Sequence, residues 1–334
     1  MMGYRLKKRR PVPGRWFFLC LALAVLWLGL SFGEREENGA GAAFGGAVFD
    51  GGAEQTDTVT LRRCETEREE RLPLEEYVVG VVAAEMPASF EPEALKAQAV
   101  IARTYALAKL SSDSGEEGVL CDDPGHCQAF EDSEDLAASW GTAFEEKYRR
   151  ITDAVSSTED MVLTYRGELA RTYYHSTCGG ETASAKEVWG EDIPYLRGVS
   201  CDWDRDAPRY RETVEIPFAE VIKVFGAVSA SASAGAEGNA EVLPVVSGET
   251  ESGRAAAVSC GGVSLSAADF RAALALNSTR FSWELDGETL RVTTLGFGHG
   301  VGLCQYGANG MAKEGKDFRE ILSHYYPGTE LKKR

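Results

Sequence analysis

The sequence predicts an α+β fold: a body of mixed helices and antiparallel strands, a small α+β subdomain inserted into that body, and a transmembrane helix ahead of both. Three observations carry this. Residues 72–110, LPLEEYVVGVVAAEMPASFEPEALKAQAVIARTYALAKL, read as two helices joined by an elbow. Several later stretches alternate around turn residues and read as hairpins. The strands and helices follow no βαβ rhythm, which argues against a doubly wound sheet. A chain of 334 residues can bury a substantial core and corresponds to roughly two domains.

At the N-terminus, Arg5, Lys7, Lys8, Arg9, Arg10 and Arg15 precede the apolar run WFFLCLALAVLWLGLSF, residues 16–32. Its length is near the lower limit for a membrane helix, and the basic flank is expected on the cytoplasmic side, which puts the body outside. The rival is a cleaved signal peptide. The run is long for an h-region and shows no clear small-x-small cleavage site, so residues 1–33 are read as a basic tail and an uncleaved anchor. Cys20 lies early in the run without a small residue before it, a poor lipidation site. Residues 34–57 are Gly/Ala-rich and acidic without periodicity, and read as a flexible linker.

The body starts with a strand at 58–61. The first helix, 74–85, stops because Pro87 removes a backbone donor and restricts its predecessor. Pro92 suits the first turn of the second helix, whose alanines favour helix intrinsically. Next, an acidic helix at 135–149 puts Trp140, Phe144 and Tyr148 on one face, a core stripe in preference to a sugar platform. MVLTYRGELARTYYHST reads as a hairpin turning at Arg166–Gly167, and closes the first part of the body, 58–209. The insert, 210–294, holds a strand, a helix at 218–225, a low-complexity loop at 226–240, strands within 241–261, a helix at 266–276 N-capped by Ser266, and a hairpin turning at Asp286–Gly287. Residues 295–334 return to the body with a helix at 318–324.

Net charge is −17. The first 33 residues hold six basic and no acidic side chains, so the remainder carries 29 basic against 52 acidic. Such a body repels nucleic acid and anionic lipid; neutral or mixed-charge ligands such as glycans are compatible with it.

Glu85 ends the apolar run VVGVVAA. Partial burial there would favour its protonated form and suit it to act as an acid; the alternative is a capping or solvent-facing residue at a helix end. Tyr174, His175, Ser176 and Thr177 precede Gly179 and Gly180, and offer the apolar face and hydroxyls that a pyranose needs. A His175/Ser176 catalytic pair is disfavoured, because adjacent strand residues face opposite ways. In GFGHGVGLCQYG, Gly296, Gly298, Gly300 and Gly302 alternate, which reads as a strand with one bare face; Gly-Lys-Ser/Thr does not follow, so it is no phosphate loop. Cys121, His126 and Cys127 form a partial zinc set, with Cys178, Cys201 or His175 as the fourth ligand. The competing reading is disulfides, Cys121–Cys127 or Cys178–Cys201.

Three stretches in order resemble the stage II sporulation protein D family: the 72–110 block, YHSTCGG at 174–180, and GHGVGLCQYGANG at 298–310 with its extension to HYYPGT. The resemblance covers most of the chain from Leu72 onward. Cys304 departs from it, since serine is usual there. The resemblance implies a membrane-anchored lytic transglycosylase of peptidoglycan acting in forespore engulfment, with Glu85 as the catalytic acid and base. Such an enzyme needs one carboxyl where ordinary hydrolases need two, and no second acid stands out beside the glycine-rich motifs. It further implies that Lys96 and Arg103 lie near the glycan, that Tyr174, His175, Ser176, Thr177, Trp189, His299, Gln305 and Tyr306 line the groove, and that the substrate is peptide-stripped strands. The implied partners are the stage II proteins P, an amidase, and M, a membrane scaffold; the implied place is the mother-cell membrane, with the body facing the intermembrane space. Catalysis needs no cofactor on this reading, and any zinc, held by Cys121, His126, Cys127 and Cys178, is structural. The rivals are a zinc-dependent amidase centred on Cys121, His126 and Cys127, and a non-enzymatic wall-binding module.

Overall fold

A computed structural model describes residues 57–111, 118–231 and 243–334. Its elements begin with β1 (Thr58–Arg62), β2 (Glu69–Pro73), α1 (Leu74–Glu85), α2 (Pro92–Ser111), β3 (Val119–Cys121), α3 (Ser133–Trp140), α4 (Phe144–Ser156), β4 (Met161–Tyr165), β5 (Glu168–Leu169), β6 (Tyr174–His175) and α5 (Ala185–Trp189). They continue with β7 (Arg211–Pro217), α6 (Phe218–Ser231), β8 (Val245–Glu249), β9 (Ala255–Cys260), β10 (Val263–Ser266), α7 (Ala267–Ala273), β11 (Phe281–Asp286), β12 (Thr289–Leu295), β13 (Leu303–Cys304), α8 (Gln305–Lys313), α9 (Phe318–Tyr325) and β14 (Glu330–Lys333). The mixed α+β class expected from the sequence is what is seen. The expected anchor at 16–32 and all but the last residue of the linker lie outside the described residues; among the described residues no helix is long and apolar enough to cross a membrane.

Helix α2 is the axle. It packs against α1, α4, α8, α9 and β4, and its run of small residues lets these neighbours come close. From Ala94 to Ala106 nearly every side chain is buried. Helix α1 buries Tyr77, Val78, Val81 and Val82 completely, so it is a core helix rather than an amphipathic one. It ends where expected: Met86 is extended, at φ −123° and ψ 140°. Small sheets surround this core, in the orders β2-β1-β3 and β14-β4-β5. β4 and β5 join through Arg166 and Gly167, both at positive φ, the twisted two-residue turn that hairpins favour.

Gln55–Arg334 forms one compact unit, with two apolar cores inside it. The second core gathers Val221, Phe225, Val258, Phe270, Leu290 and Val292, under the sheets β10-β9-β8 and β11-β12-β7. As anticipated, Ser266 caps α7 by accepting from the Asp269 N–H.

Two local expectations change. The acidic helix is two helices, broken where Gly141 takes φ +55°; Trp140, Phe144 and Tyr148 still meet in series, at 6.3 and 5.1 Å between centroids, with Trp140 and Tyr148 half-buried against the core. The alternating glycines do not form a strand. Gly296 and Gly302 sit at φ +82° and +73°, where a Cβ would lie 2.7 Å from the Thr177 carbonyl and 2.0 Å from that of Tyr173. The run is a folded-back loop pressed on the 173–178 segment. It is stitched there by paired Thr177–Phe297 backbone bonds and by the short parallel ladder of Leu303 with Tyr174 and Cys304 with His175.

Candidate active site

Glu85 is delivered by the last turn of α1. The segment after Cys127 closes over that helix because Gly80 has no side chain: a Cβ there would lie 2.3 Å from the Phe130 ring and 2.7 Å from the Glu131 carbonyl. The approach places the Ala129 N–H, which donates to Glu85 Oε1 at 2.9 Å. Tyr174, opening β6, sets its phenol between the Glu85 carboxyl and Gln128 Oε1, the latter at 3.1 Å, so that its one proton can serve either acceptor. Gln128 in turn donates to Tyr77 Oη at 3.2 Å and to the Ala102 carbonyl at 3.3 Å. Burial raises the Glu85 pKa above its ordinary value; the Ala129 and Tyr174 hydrogen bonds oppose the rise without cancelling it. The half-buried carboxyl thus favours its proton more than a free one does.

Beside it lies an aromatic wall. Tyr173 contacts Trp189 at 4.6 Å and Tyr105 at 6.5 Å, and His299 meets Trp189 at 5.3 Å and His175 at 5.7 Å. Trp189 keeps 39 % of its surface exposed, a face a sugar ring can stack on. Both histidines are neutral at physiological pH. Burial lowers His299 to about 4 and His175 well below its usual range. His299 Nδ1 accepts the Val301 N–H at 3.0 Å, and His175 Nδ1 donates to the Val301 carbonyl at 3.1 Å. His175 Nε2 makes no hydrogen bond and the Ser176 hydroxyl pairs with Thr177 Oγ1 at 3.3 Å, so His175 and Ser176 do not form a catalytic pair.

Not every candidate meets Glu85. Arg103 is fully buried. It forks onto Glu75, with Nε to Oε1 at 2.7 Å and Nη2 to Oε2 at 2.5 Å, and donates to the Met161 carbonyl at 3.1 Å. Its expected place beside a glycan is corrected: it is a clamp inside the body. Lys96 pairs with Glu93 at 2.6 Å, and the other Glu93 oxygen accepts the Phe318 N–H at 2.9 Å, so Lys96 serves the α2–α9 junction and is not among the groups that shift Glu85. Thr177 and Gln305 are buried. Tyr306 is half-buried, edge-on to Phe90 at 5.0 Å.

No disulfide joins the described cysteines, and, apart from Cys260 in the second core, they fall into two groups. Cys121, His126 and Cys127 converge, with His126 Nδ1 at 3.2 Å from Cys121 Sγ and 3.4 Å from Cys127 Sγ, a donor set that fits zinc. Cys178 is not with them; the sulfurs that interact with Cys121 are those of Cys127 and Cys64. Cys178 instead joins Cys201, Asp204 and Cys304 in a buried group. Sequence reasoning also missed Ala129, because it acts through its backbone, and Gln128, Tyr105 and Tyr173. The adjacency of Gln128 to the His126–Cys127 pair and of Tyr173 to Tyr174 was the available signal.

A family profile described as stage II sporulation protein matches residues 63–165. The chain is 42 % identical over 277 residues to stage II sporulation protein D of Bacillus subtilis (strain 168), covering 82 % of this chain and 78 % of that one. It is 36 % identical to the protein of that name from Bacillus amyloliquefaciens, with the same coverage. A second Bacillus subtilis protein, named amidase enhancer, is 28 % identical over 75 % of this chain and 40 % of its own length.

Proposed function

The chain belongs to the stage II sporulation protein D family, and from that premise we propose that it is a lytic transglycosylase, cleaving the β-1,4 bond between N-acetylmuramic acid and N-acetylglucosamine in peptide-stripped peptidoglycan. One observation carries the reading: a single half-buried carboxyl, Glu85, biased toward its protonated form, faces an amide N–H and a phenol, and no carboxylate is among the groups that shift it. A hydrolase working through paired carboxyls would need a second one close by. Here Glu85 gives its proton to the glycosidic oxygen as the C1–O bond breaks. The resulting carboxylate then takes the proton of the muramic 6-hydroxyl as that oxygen closes on C1, so the 1,6-anhydro end forms and Glu85 is reprotonated without water. Tyr174 and Ala129 hold the carboxyl in place, and Trp189 and Tyr173 offer the stacking face.

The sporulation setting agrees with the family; engulfment, the membrane anchor, the mother-cell membrane facing the intermembrane space, and the stage II proteins P and M as partners belong to the same proposal. A zinc ion on Cys121, His126 and Cys127 would tie down the turn that carries Gln128 and Ala129. The test is cleavage of peptide-free glycan strands by the body from Gln55 to Arg334, with and without Glu85→Gln, read by mass spectrometry. Products one water lighter than hydrolytic ones, lost in the variant, are expected. Products of full hydrolytic mass would refute the transglycosylase. Loss of turnover on chelation with Glu85→Gln still active would favour the amidase rival, and glycan binding without any turnover the binding module.

A further inference from the structure

Cys178, Cys201, Asp204 and Cys304 come from three separated stretches, yet one donor atom of each lies within 4.8 Å of the others. None is more than 1 % exposed, and none takes part in the chemistry around Glu85. We propose that this tetrad is a structural zinc site of three thiolates and one carboxylate, distinct from the Cys121 group. Tetrahedral zinc with bonds of about 2.3 Å holds its sulfurs roughly 3.8 Å apart, and the four donor atoms here all fall within 4.8 Å of one another.

The donors are held from outside in the way metal ligands are. Asp204 Oδ2 accepts the backbone N–H groups of Cys178 and Gly179, each at 2.8 Å, and the Cys178 thiol at 3.1 Å. Asp204 Oδ1 is buried with no hydrogen-bond partner. The Gly307 N–H donates to Cys304 Sγ at 3.3 Å, and Tyr325 Oη lies 3.1 Å from Cys201 Sγ. The space is reserved too: a Cβ on Gly307 would fall 2.4 Å from Cys201 Sγ and 2.2 Å from Tyr325 Oη. Charge is provided for. Three thiolates and a carboxylate around a divalent ion leave a net −2. Arg254 and Arg280 reach in from the insert, donating to the carbonyls of Cys178 and Gly179 at 2.9 and 2.8 Å. Arg254 is 1 % exposed, and its Nε and Nη1 have no hydrogen-bond partner, so it is a buried cation facing the ligand loop. A disulfide would use two sulfurs and leave the third beside Asp204 Oδ1, which would still lack a partner. Bound metal would fasten the turn after β6 to the start of α8.

The site is independent of the Glu85 reading, and its test reads no activity. The full-length, untagged chain carrying Cys121→Ala and Cys127→Ala is purified reduced, loaded with zinc, desalted and assayed by plasma mass spectrometry. One zinc per chain is expected, falling at least tenfold on adding Cys201→Ser. Cobalt(II) in place of zinc in the Cys121→Ala/Cys127→Ala protein should give thiolate-to-metal absorption and tetrahedral visible bands, saturating at one equivalent; this reading stands even if Cys201→Ser fails to fold. Zinc near zero without cobalt bands, or zinc undiminished by Cys201→Ser in folded protein, overturns the proposal. So does a mass two hydrogens light with Cys178 joined to Cys201 or Cys304.

Discussion

In an Arg103→Ala protein a complete set of charge-assisted bonds leaves the middle of the body. The fork onto Glu75 at 2.7 and 2.5 Å is lost, and the Met161 and Val155 carbonyls lose donors at 3.1 and 3.5 Å. Removing one partner of a buried pair costs about 3–5 kcal/mol, because the other is left uncompensated. The Glu75 side chain keeps 30 % exposure and can rehydrate, which puts this case at the lower end, about 3–4 kcal/mol. The body spans Gln55–Arg334, and its unfolding entropy is about 0.6 kcal/mol/K, so the melting temperature should fall by about 5–7 °C. Arg103→Lys keeps the charge but not the fork and should lose about half as much. Urea unfolding of the two variants gives the free energies, and glycan binding by the protein that remains folded gives the second readout. If Arg103→Ala unfolds within about 1 kcal/mol of the parent and binds glycan tenfold more weakly, the side chain faces ligand, and the clamp assigned to it is wrong.

Glu85 must carry its proton to act as the acid, so cleavage should decline as pH rises through its raised pKa. Tyr174→Phe removes one of the two hydrogen bonds that lower that pKa, and a pH–rate profile should show the alkaline limb moved to higher pH. A carboxyl whose folded pKa lies above its unfolded one favours folding below the unfolded value and loses that contribution as pH rises through the folded value. Glu85→Gln should accordingly raise the melting temperature at pH 7 relative to the parent and much less at pH 4, by scanning calorimetry. Gly302→Ala drives a Cβ to within 2.0 Å of the Tyr173 carbonyl oxygen at φ +73°. Backbone cannot yield as a side-chain tip does, so a loss on the order of 3 kcal/mol is expected in urea unfolding.

What the sequence discloses here is local. Helix α1 ends at Glu85 because Pro87 acts on its own neighbours, and β4–β5 turns at Arg166–Gly167 because two adjacent residues accept positive φ. The alternating glycines mislead, since a bare strand face and a chain of left-handed turns leave the same pattern; the contacts of Gly296 and Gly302 with the 173–178 segment decide between them. Arg103 misleads for a related reason. Seven residues from Lys96, it shares nearly one face of α2, and an exposed face seems natural for two cations. Helices α1, α4, α8 and α9 and strands β3, β4 and β5 all pack around α2, however, and burial from all sides is not written in its own residues. Glu85 was legible through the apolar run before it. Ala129 was not, because a backbone N–H carries no residue type.

A rigid helix supplies the acid, but both groups that tune it come from segments with little regular structure. Ala129 stands two residues after Cys127, and Tyr174 stands four before Cys178. Each segment passes beside a group of converging thiols. A hydrogen bond to a half-buried carboxyl weakens steeply once its donor drifts by a few tenths of an ångström. The sulfur groups sit where that drift would begin. Cys304 belongs to both the helix start and the buried group: its thiol caps α8 by accepting the Gly307 N–H and at the same time adds a third sulfur beside Cys178 and Cys201. A hydroxyl could do the first and not contribute the second. Cys304→Ser should therefore remove a sulfur from the buried group while leaving intact the helix start that follows β13, and with it the pairing of β13 with β6 that positions Tyr174.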